Sequence, residues 1–360
     1  MSAALHVVEP TLEDYAGHCH ALVSSLVRAA RGNAIELWKG QVHEGDRAVP
    51  MTFGPDVTLH SYFRRRTRQT QMLRLLRRLL RTSSRVILTT ARTLDLALVA
   101  LVARAPLPPR RVFMYVHWLR MTPFKRWLLR GVAMRQPDVT ILCTTERLVD
   151  VFRQSGFRDV AMLPYPAPET SRDDDPVAFR QLLYAGAARR DKGFGVVVDL
   201  VQLLAAKSAD IAITVQTTPD HYGKYDDATR ADIARLEATH YAPLTLIRKT
   251  PSPEEYAATF PGSICLQPYD AAEFRDRVSG VTLDALAHGC PVVATAGTWS
   301  AALIAPHNAG IVVANPNAES LHAAASALRA DYPGYRRRAL AAAEAREGSS
   351  WQPLLVRLRD

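Results

Sequence analysis

The chain has 360 residues, 48% of them hydrophobic, and a formal net charge of +10. That length exceeds what one hydrophobic core usually serves, and that hydrophobicity excludes a disordered chain, so two globular domains are expected. Four scattered cysteines, Cys19, Cys143, Cys265 and Cys290, form no C-x-x-C pair, which argues against a zinc site or a disulfide framework and for reduced, buried thiols.

In chain order, MSAALHVVEPTLEDY has no basic leader region and no long apolar run, so no signal peptide is expected. Residues 4–9 (ALHVVE) read as a strand, and 10–18 (PTLEDYAGH) as a polar loop. Residues 20–30 read as a helix with Leu22, Val23, Leu26 and Val27 on one face, and 34–38 (AIELW) as a second strand. Residues 84–91, 111–118 and 138–145 are further strand-like runs separated by helical segments; LALVALVA at 96–103 is too short to cross a bilayer and fits a buried helix. Continuous apolar runs suit parallel strands covered on both faces, and their alternation with helices predicts a doubly wound α/β sheet. Residues 163–176 (LPYPAPETSRDDDP) read as a linker. The rhythm then restarts, with strands at 180–186, 211–216, 244–249, 263–269, 291–295 and 310–313, and helices at 195–207, 228–238, 253–260 and 281–289. The expected organisation is a first Rossmann-like domain over 1–165, a linker over 166–176, a second over 177–345, and a C-terminal helix over 346–360 packing back on the first. Such sheets bind ligands outside the carboxyl ends of their strands.

Charge is uneven. Residues 1–170 hold 25 Lys and Arg against 13 Asp and Glu, and residues 57–137 hold 18 cations with one acid, Asp95. The front half is therefore expected to meet an anion. From Arg64 to Arg81 the pattern is a basic amphipathic helix: Arg74, Arg77, Arg78 and Arg81 share one face, and Met72, Leu75, Leu76 and Leu79 a neighbouring one. Arginines four apart repel without intervening acids, so an external anion is expected. Anionic lipid fits, each surface cation contributing about 1 kcal/mol near such a bilayer. WLRMTPFKRWLLR at 118–130 adds Trp, Phe and further cations suited to a membrane interface. No nucleic-acid motif is present, so nucleic acid is not the expected partner.

Two stretches of the back half suggest phosphate chemistry. In YAGAARRDKGF at 184–194 a strand ends in Gly186, a basic turn follows, and a helix starts after Gly193. Arg189 and Lys192 then stand at a strand's carboxyl end beside a helix N-terminus, which suits a diphosphate; an ordinary charged turn is the structural alternative. In RDRVSGVTLDALAHGCPVVAT at 275–295, Ser279 and Gly280 start a helix at which the backbone can approach a phosphate closely. Asp284, a turn further on, can reach ribose hydroxyls, and Asp276 before the turn can face a sugar. Each could equally be a dipole-complementing or solvated acid.

Together, G-x-x-R-x-x-K-G and, about 80 residues later, D-x-x-S-G-x-x-x-D-A-L-A-H-G-C-P-V-V-A-T resemble the donor domain of GT-B glycosyltransferases, and more narrowly the retaining, group 1 enzymes of family four. The resemblance covers residues 182–313 by motif and the front half by organisation alone. It implies two doubly wound domains facing a cleft, a nucleotide-sugar donor, and no cofactor. Arg189 and Lys192 would hold the diphosphate with the Ser279–Gly280 turn, and Asp284 the ribose. Asp276 would face the donor sugar. The family usually has Glu at both acidic places, so Glu273 is an alternative for the first. The segment around Lys249 would pack near the base. His117, ending the strand YVHW, would contact the donor sugar near the reacting carbon. Gly17 and His18 match the family's glycine-containing first loop, beside the phosphates and acceptor. No D-x-D motif ends a strand, so no metal is expected. The implied protein is cytoplasmic and peripheral at the inner membrane, transferring sugar to a saccharide or lipid-linked acceptor in bacterial polysaccharide or glycolipid synthesis. The rivals are a non-catalytic binding protein on the same fold and a nucleotide-dependent oxidoreductase, which would require a G-x-G-x-x-G that neither first turn supplies.

Overall fold

The computed structural model describes residues 4–13, 18–42, 51–168, 170, 177–218, 225–346 and 351–359. It divides into two compact units, residues 1–166 with 348–360, and residues 167–347. Among the described residues no helix is long and apolar enough to cross a membrane.

The front unit runs β1 (Leu5–Glu9), α1 (His18–Ala29), β2 (Ile35–Gly40), β3 (Val57–Phe63), α2 (Arg68–Leu79), β4 (Arg85–Leu88), α3 (Thr93–Val102), β5 (Val112–Val116), α4 (Pro123–Arg135), β6 (Thr140–Cys143), α5 (Glu146–Gln154) and β7 (Val160–Met162). Its sheet is parallel in the order β3-β2-β1-β4-β5-β6-β7. Alternate residues of the central strands, such as Val112, Met114 and Val116, meet the inner faces of α2 to α5 in one apolar cluster, as the two-residue period of a strand requires. The order reverses between β1 and β4. There Glu9, fully buried, accepts hydrogen bonds from Thr89 Oγ1 (2.7 Å), Thr90 Oγ1 (3.0 Å) and the Thr11 amide (3.0 Å), tying together the ends of the two strands.

The back unit runs β8 (Gln181–Tyr184), α6 (Phe194–Ala206), β9 (Ile213–Gln216), α7 (Asp227–Glu237), β10 (Leu244–Ile247), α8 (Pro253–Ala257), β11 (Ser263–Gln267), α9 (Ala271–Phe274), α10 (Gly280–Ala287), β12 (Val292–Thr295), α11 (Trp299–Ile304), β13 (Gly310–Val313), α12 (Ala318–Ala330) and α13 (Tyr332–Glu344). Its parallel sheet has the order β10-β9-β8-β11-β12-β13 and reverses between β8 and β11. Separate apolar clusters cover its two faces, so the central strands β8, β9, β11 and β12 are buried throughout, while the edge strands β10 and β13 are half-buried. The last helix, α14 (Gln352–Arg359), belongs to the front unit. Trp351 Nε1 donates to Ser25 Oγ at 2.9 Å, and Arg357 Nη2 pairs with Asp159 at 2.9 Å. All four cysteines are buried and unpaired.

The amphipathic segment is shorter than its periodicity predicts. Met72, Leu75, Leu76 and Leu79 are buried as expected, but the helix begins at Arg68. Residues 64–67 form a turn pinned by Gln71, whose side chain accepts from the Arg64 amide at 2.8 Å and donates to the Tyr62 carbonyl at 2.7 Å. Strands β3 and β7, which the sequence did not announce, lie at the two edges of their sheet. An edge strand needs no continuous apolar run, and β3 mixes half-buried and exposed residues ahead of its buried Phe63.

Candidate nucleotide-sugar site

The switch point of the back unit is built from the ends of β8 and β11. Beyond β8, Gly186 takes φ +96°, and its N–H donates to Gln216 Oε1 at 2.6 Å. The Ala188 N–H donates to Tyr225 Oη at 3.2 Å. Two loop amides are thus already used, and the loop is fixed. A single turn of 3-10 helix, Arg190–Lys192, leads to Gly193 at φ +67°. A side chain there would drive its Cβ to 2.0 Å from the Pro268 carbonyl oxygen. Glycine is required because the chain leaving β11 packs directly on this turn.

That close packing brings three cations together. Arg189 donates to Asp191 through Nε (2.7 Å) and a terminal nitrogen, and Arg277 Nη1 reaches the same carboxylate at 3.3 Å. Lys192 Nζ lies 5.7 Å from the centre of the Tyr269 ring, and a Cβ on Gly186 would stand 2.7 Å from it and 3.5 Å from Val281 Cγ2. The lysine is therefore beside the first turn of α10. Burial, then the neighbouring Arg189 and Arg277, pull its pKa down to about 8. Burial and Arg189 lower Arg277 as well, while Asp191 and Glu273 act against them. Lys192 and Arg277 are thus both held below their ordinary values, the electrostatic condition for binding an added anion.

The helix N-terminus completes the cradle. Ser279 caps α10, its hydroxyl accepting from the Thr282 amide at 3.3 Å. Thr282 Oγ1 donates to Gln267 Oε1 at 2.7 Å, which pins the helix start to the end of β11. The space around Gly280 is open, with no atom within 4 Å of where a Cβ would sit. As at any helix start, the Gly280 and Val281 amides lie outside the intrahelical pattern. Asp284 sits on the same helix and accepts from Tyr256 Oη at 3.0 Å; burial raises its pKa to about 6.

The structure thus brings together Arg189, Lys192, Ser279, Gly280 and Asp284. Asp276 lies half-buried in the bend after α9, and Glu273 lies on α9, where its charge acts on Arg277. Lys249 is exposed beyond β10, two strands from β8, a separation of roughly 10 Å across the sheet. In the front unit, His117 follows β5 with its ring edge-on to Tyr115 (4.4 Å between centres) and Tyr165 (5.2 Å). His18 opens α1, its side chain lying outside the described residues, as does Gly17. Sequence reasoning missed Arg277, Asp191, Tyr256 and Gln267. Arg277 stood inside the quoted motif, and its cue was a cation two residues before a helix cap. The other three act through contacts that no local spacing encodes.

Two doubly wound units, the second with a cationic cradle and a helix start at its switch point, have the architecture of a GT-B fold. Full-length likeness to solved structures agrees: sucrose-phosphate synthase from Thermosynechococcus elongatus (15% identity, TM-score 0.71, 98% of this chain and 97% of that one), WaaG, a glycosyltransferase involved in lipopolysaccharide biosynthesis (15%, 0.63, 98% and 98%), and Anabaena HepE in complex with UDP and glucose (12%, 0.65, 99% and 98%). No curated protein matches the sequence. Residues 180–331, most of the back unit, match the family model described as glycosyl transferases group 1.

Proposed function

We propose that the protein transfers a sugar from a nucleoside diphosphate donor to an acceptor hydroxyl, with retention at the anomeric carbon and without a metal ion. The observation that carries this reading is the convergence of Arg189, Lys192 and Arg277 beside the open start of α10. In the reaction the bond from the anomeric carbon to the diphosphate oxygen breaks, and negative charge grows on the departing diphosphate. Preorganised cations and helix amides stabilise that charge more in the transition state than in the ground state. The acceptor oxygen forms the new bond on the side the diphosphate leaves, and its proton passes to a diphosphate oxygen. Asp284 takes the ribose hydroxyls, Asp276 or Glu273 the donor sugar, and Lys249 lies toward the base. His117 contacts the sugar near the reacting carbon, and Gly17 and His18 lie toward the acceptor. The cationic front unit is the acceptor side and meets an anionic membrane surface through Arg64 to Arg81. A lipid-linked acceptor in bacterial polysaccharide or glycolipid synthesis fits that charge, as does a cytoplasmic, peripheral location at the inner membrane.

The test is release of nucleoside diphosphate from a panel of nucleotide sugars. The reading expects turnover with one donor and its loss in Lys192→Ala. Absence of turnover with every donor, or an unaffected Lys192→Ala, would remove it.

A further inference from the structure

Eight large hydrophobic side chains of the described residues are exposed, and six of them, Leu94, Leu101, Trp118, Phe124, Trp127 and Met134, fall within residues 94–134. Single exposed apolar residues are ordinary; a cluster on adjacent elements is not. Helix α3 packs against α4, and α2 against α3, so the three form neighbouring ribs of one layer over the front sheet.

Helix α4 is apolar on two faces. Leu129, Val132 and Ala133 turn inward to the core. Phe124, Trp127, Gly131 and Met134 recur at i, i+3, i+7 and i+10, a stripe on the opposite face. Trp127 is 70% exposed and Met134 81%, and the space beside Gly131 is open. The rings of Phe124 and Trp127 lie 6.0 Å apart. Leu94 and Leu101, seven apart, add an exposed pair on α3. A helix on a water-facing surface normally turns charge outward. This one carries aromatic and thioether groups there, with Arg126 and Arg130 exposed beside them.

The surroundings identify the occupant. On α2, Arg74, Arg77 and Arg78 are exposed, Arg78 also lying over the Trp38 ring at 5.4 Å, and Arg81 is exposed just past the end of the helix. The one acid of residues 57–137, Asp95, is bound by Arg92. A second copy of this chain would bring the same cations against this face, and like charges oppose that contact. An anionic bilayer satisfies both components: headgroups take the cations, and the acyl boundary takes Trp, Phe and Met side chains.

We propose that the outer face of α3 and α4 inserts into an anionic lipid bilayer, with Phe124, Trp127 and Met134 as the inserting side chains and the arginines of α2 bearing on headgroups beside it. This deepens the membrane-facing reading of the front unit and rests on it; it is independent of the donor site in the back unit.

Full-length protein is sedimented with vesicles of phosphatidylcholine, with and without phosphatidylglycerol. The double variant Phe124→Ser/Trp127→Ser is expected to keep its Tm, both residues being exposed, and to lose at least about tenfold in affinity for anionic vesicles. Lipids brominated on the acyl chain are expected to quench wild-type fluorescence, and Trp127→Phe to lose most of that quenching. Vesicle affinity unchanged in the double variant, with binding lost on neutralising Arg74, Arg77 and Arg81, would overturn insertion and leave a purely electrostatic membrane contact. No vesicle binding by the wild type would overturn the insertion and the membrane reading together, leaving the donor reading to its own assay. A dimer in solution that the double variant dissociates would assign the face to a second copy instead.

Discussion

Lys192 gives the donor site a definite pH response. In the ligand-free protein, burial and the two arginines hold its ammonium at about 8, against an ordinary value of 10.5. A diphosphate beside it restores the charged form, so above pH 8 binding must take up a proton. The apparent dissociation constant then grows as one plus ten to the power of pH minus 8, which makes binding about tenfold weaker at pH 9 than at pH 7. The sign for stability is opposite. A folded lysine with lowered pKa binds fewer protons than the unfolded one, so the ligand-free fold gains stability as pH rises from about 8 towards 10.5. Titration calorimetry of the nucleoside diphosphate that binds, at pH 7, 8 and 9, reads the effect directly. Lys192→Met is the control, because any slope it retains belongs to the ligand or to other groups. A wild-type affinity that is flat over this range, or that falls equally in Lys192→Met, would refute the placement of the diphosphate at Lys192.

Arg277→Ala removes one charged donor from the cradle and is expected to weaken nucleoside diphosphate binding about 10- to 100-fold with the fold intact, measured by calorimetry and Tm. Tyr256→Phe takes a hydrogen bond from the half-buried Asp284 carboxylate. It should cost about 1.5–3 kcal/mol of stability at pH 7 and less at pH 5, where the carboxyl, with its pKa near 6, is largely protonated; denaturant unfolding at the two pH values decides this. Gly186→Ala forces a side chain onto positive φ and against the Lys192 ammonium. It should lose about 1–2 kcal/mol in the same unfolding assay and weaken diphosphate binding too.

The strands that position the site were legible because a parallel strand covered on both faces must be apolar along its whole length. Residues 181–184, 263–267 and 292–295 could be read directly, as could the helix start at Ser279–Gly280. The edge strands of the front sheet escaped, since β3 is half solvated and β7 is three residues long. Short helices such as α9 and α11 escaped because four or six residues hold too little periodicity. Within the site, spacing pointed to Arg189, Lys192 and Asp284, each tied to a strand end or a helix turn. The carboxylate that holds Arg189 and Arg277, Asp191, looked like one more charge in a basic turn. Its role depends on Arg277 arriving from 86 positions away, a relation set by the parallel pairing of β8 with β11. The outward face of α4 was obscured for a related reason. An apolar stripe facing solvent and one facing the core look alike until the packing partner is known.

The central claim is that the back unit binds a nucleoside diphosphate in the Arg189–Lys192–Arg277 cradle. The most direct measurement is the Tm of the full-length protein with adenosine, guanosine, uridine, cytidine and thymidine diphosphates. A ligand that binds only the folded state stabilises it by about 2.7 kcal/mol at a hundredfold excess over its dissociation constant, a shift of a few degrees. The account predicts such a rise with at least one nucleotide and its disappearance in Lys192→Ala. A Tm that no nucleoside diphosphate moves, or a rise that survives in Lys192→Ala, would contradict it.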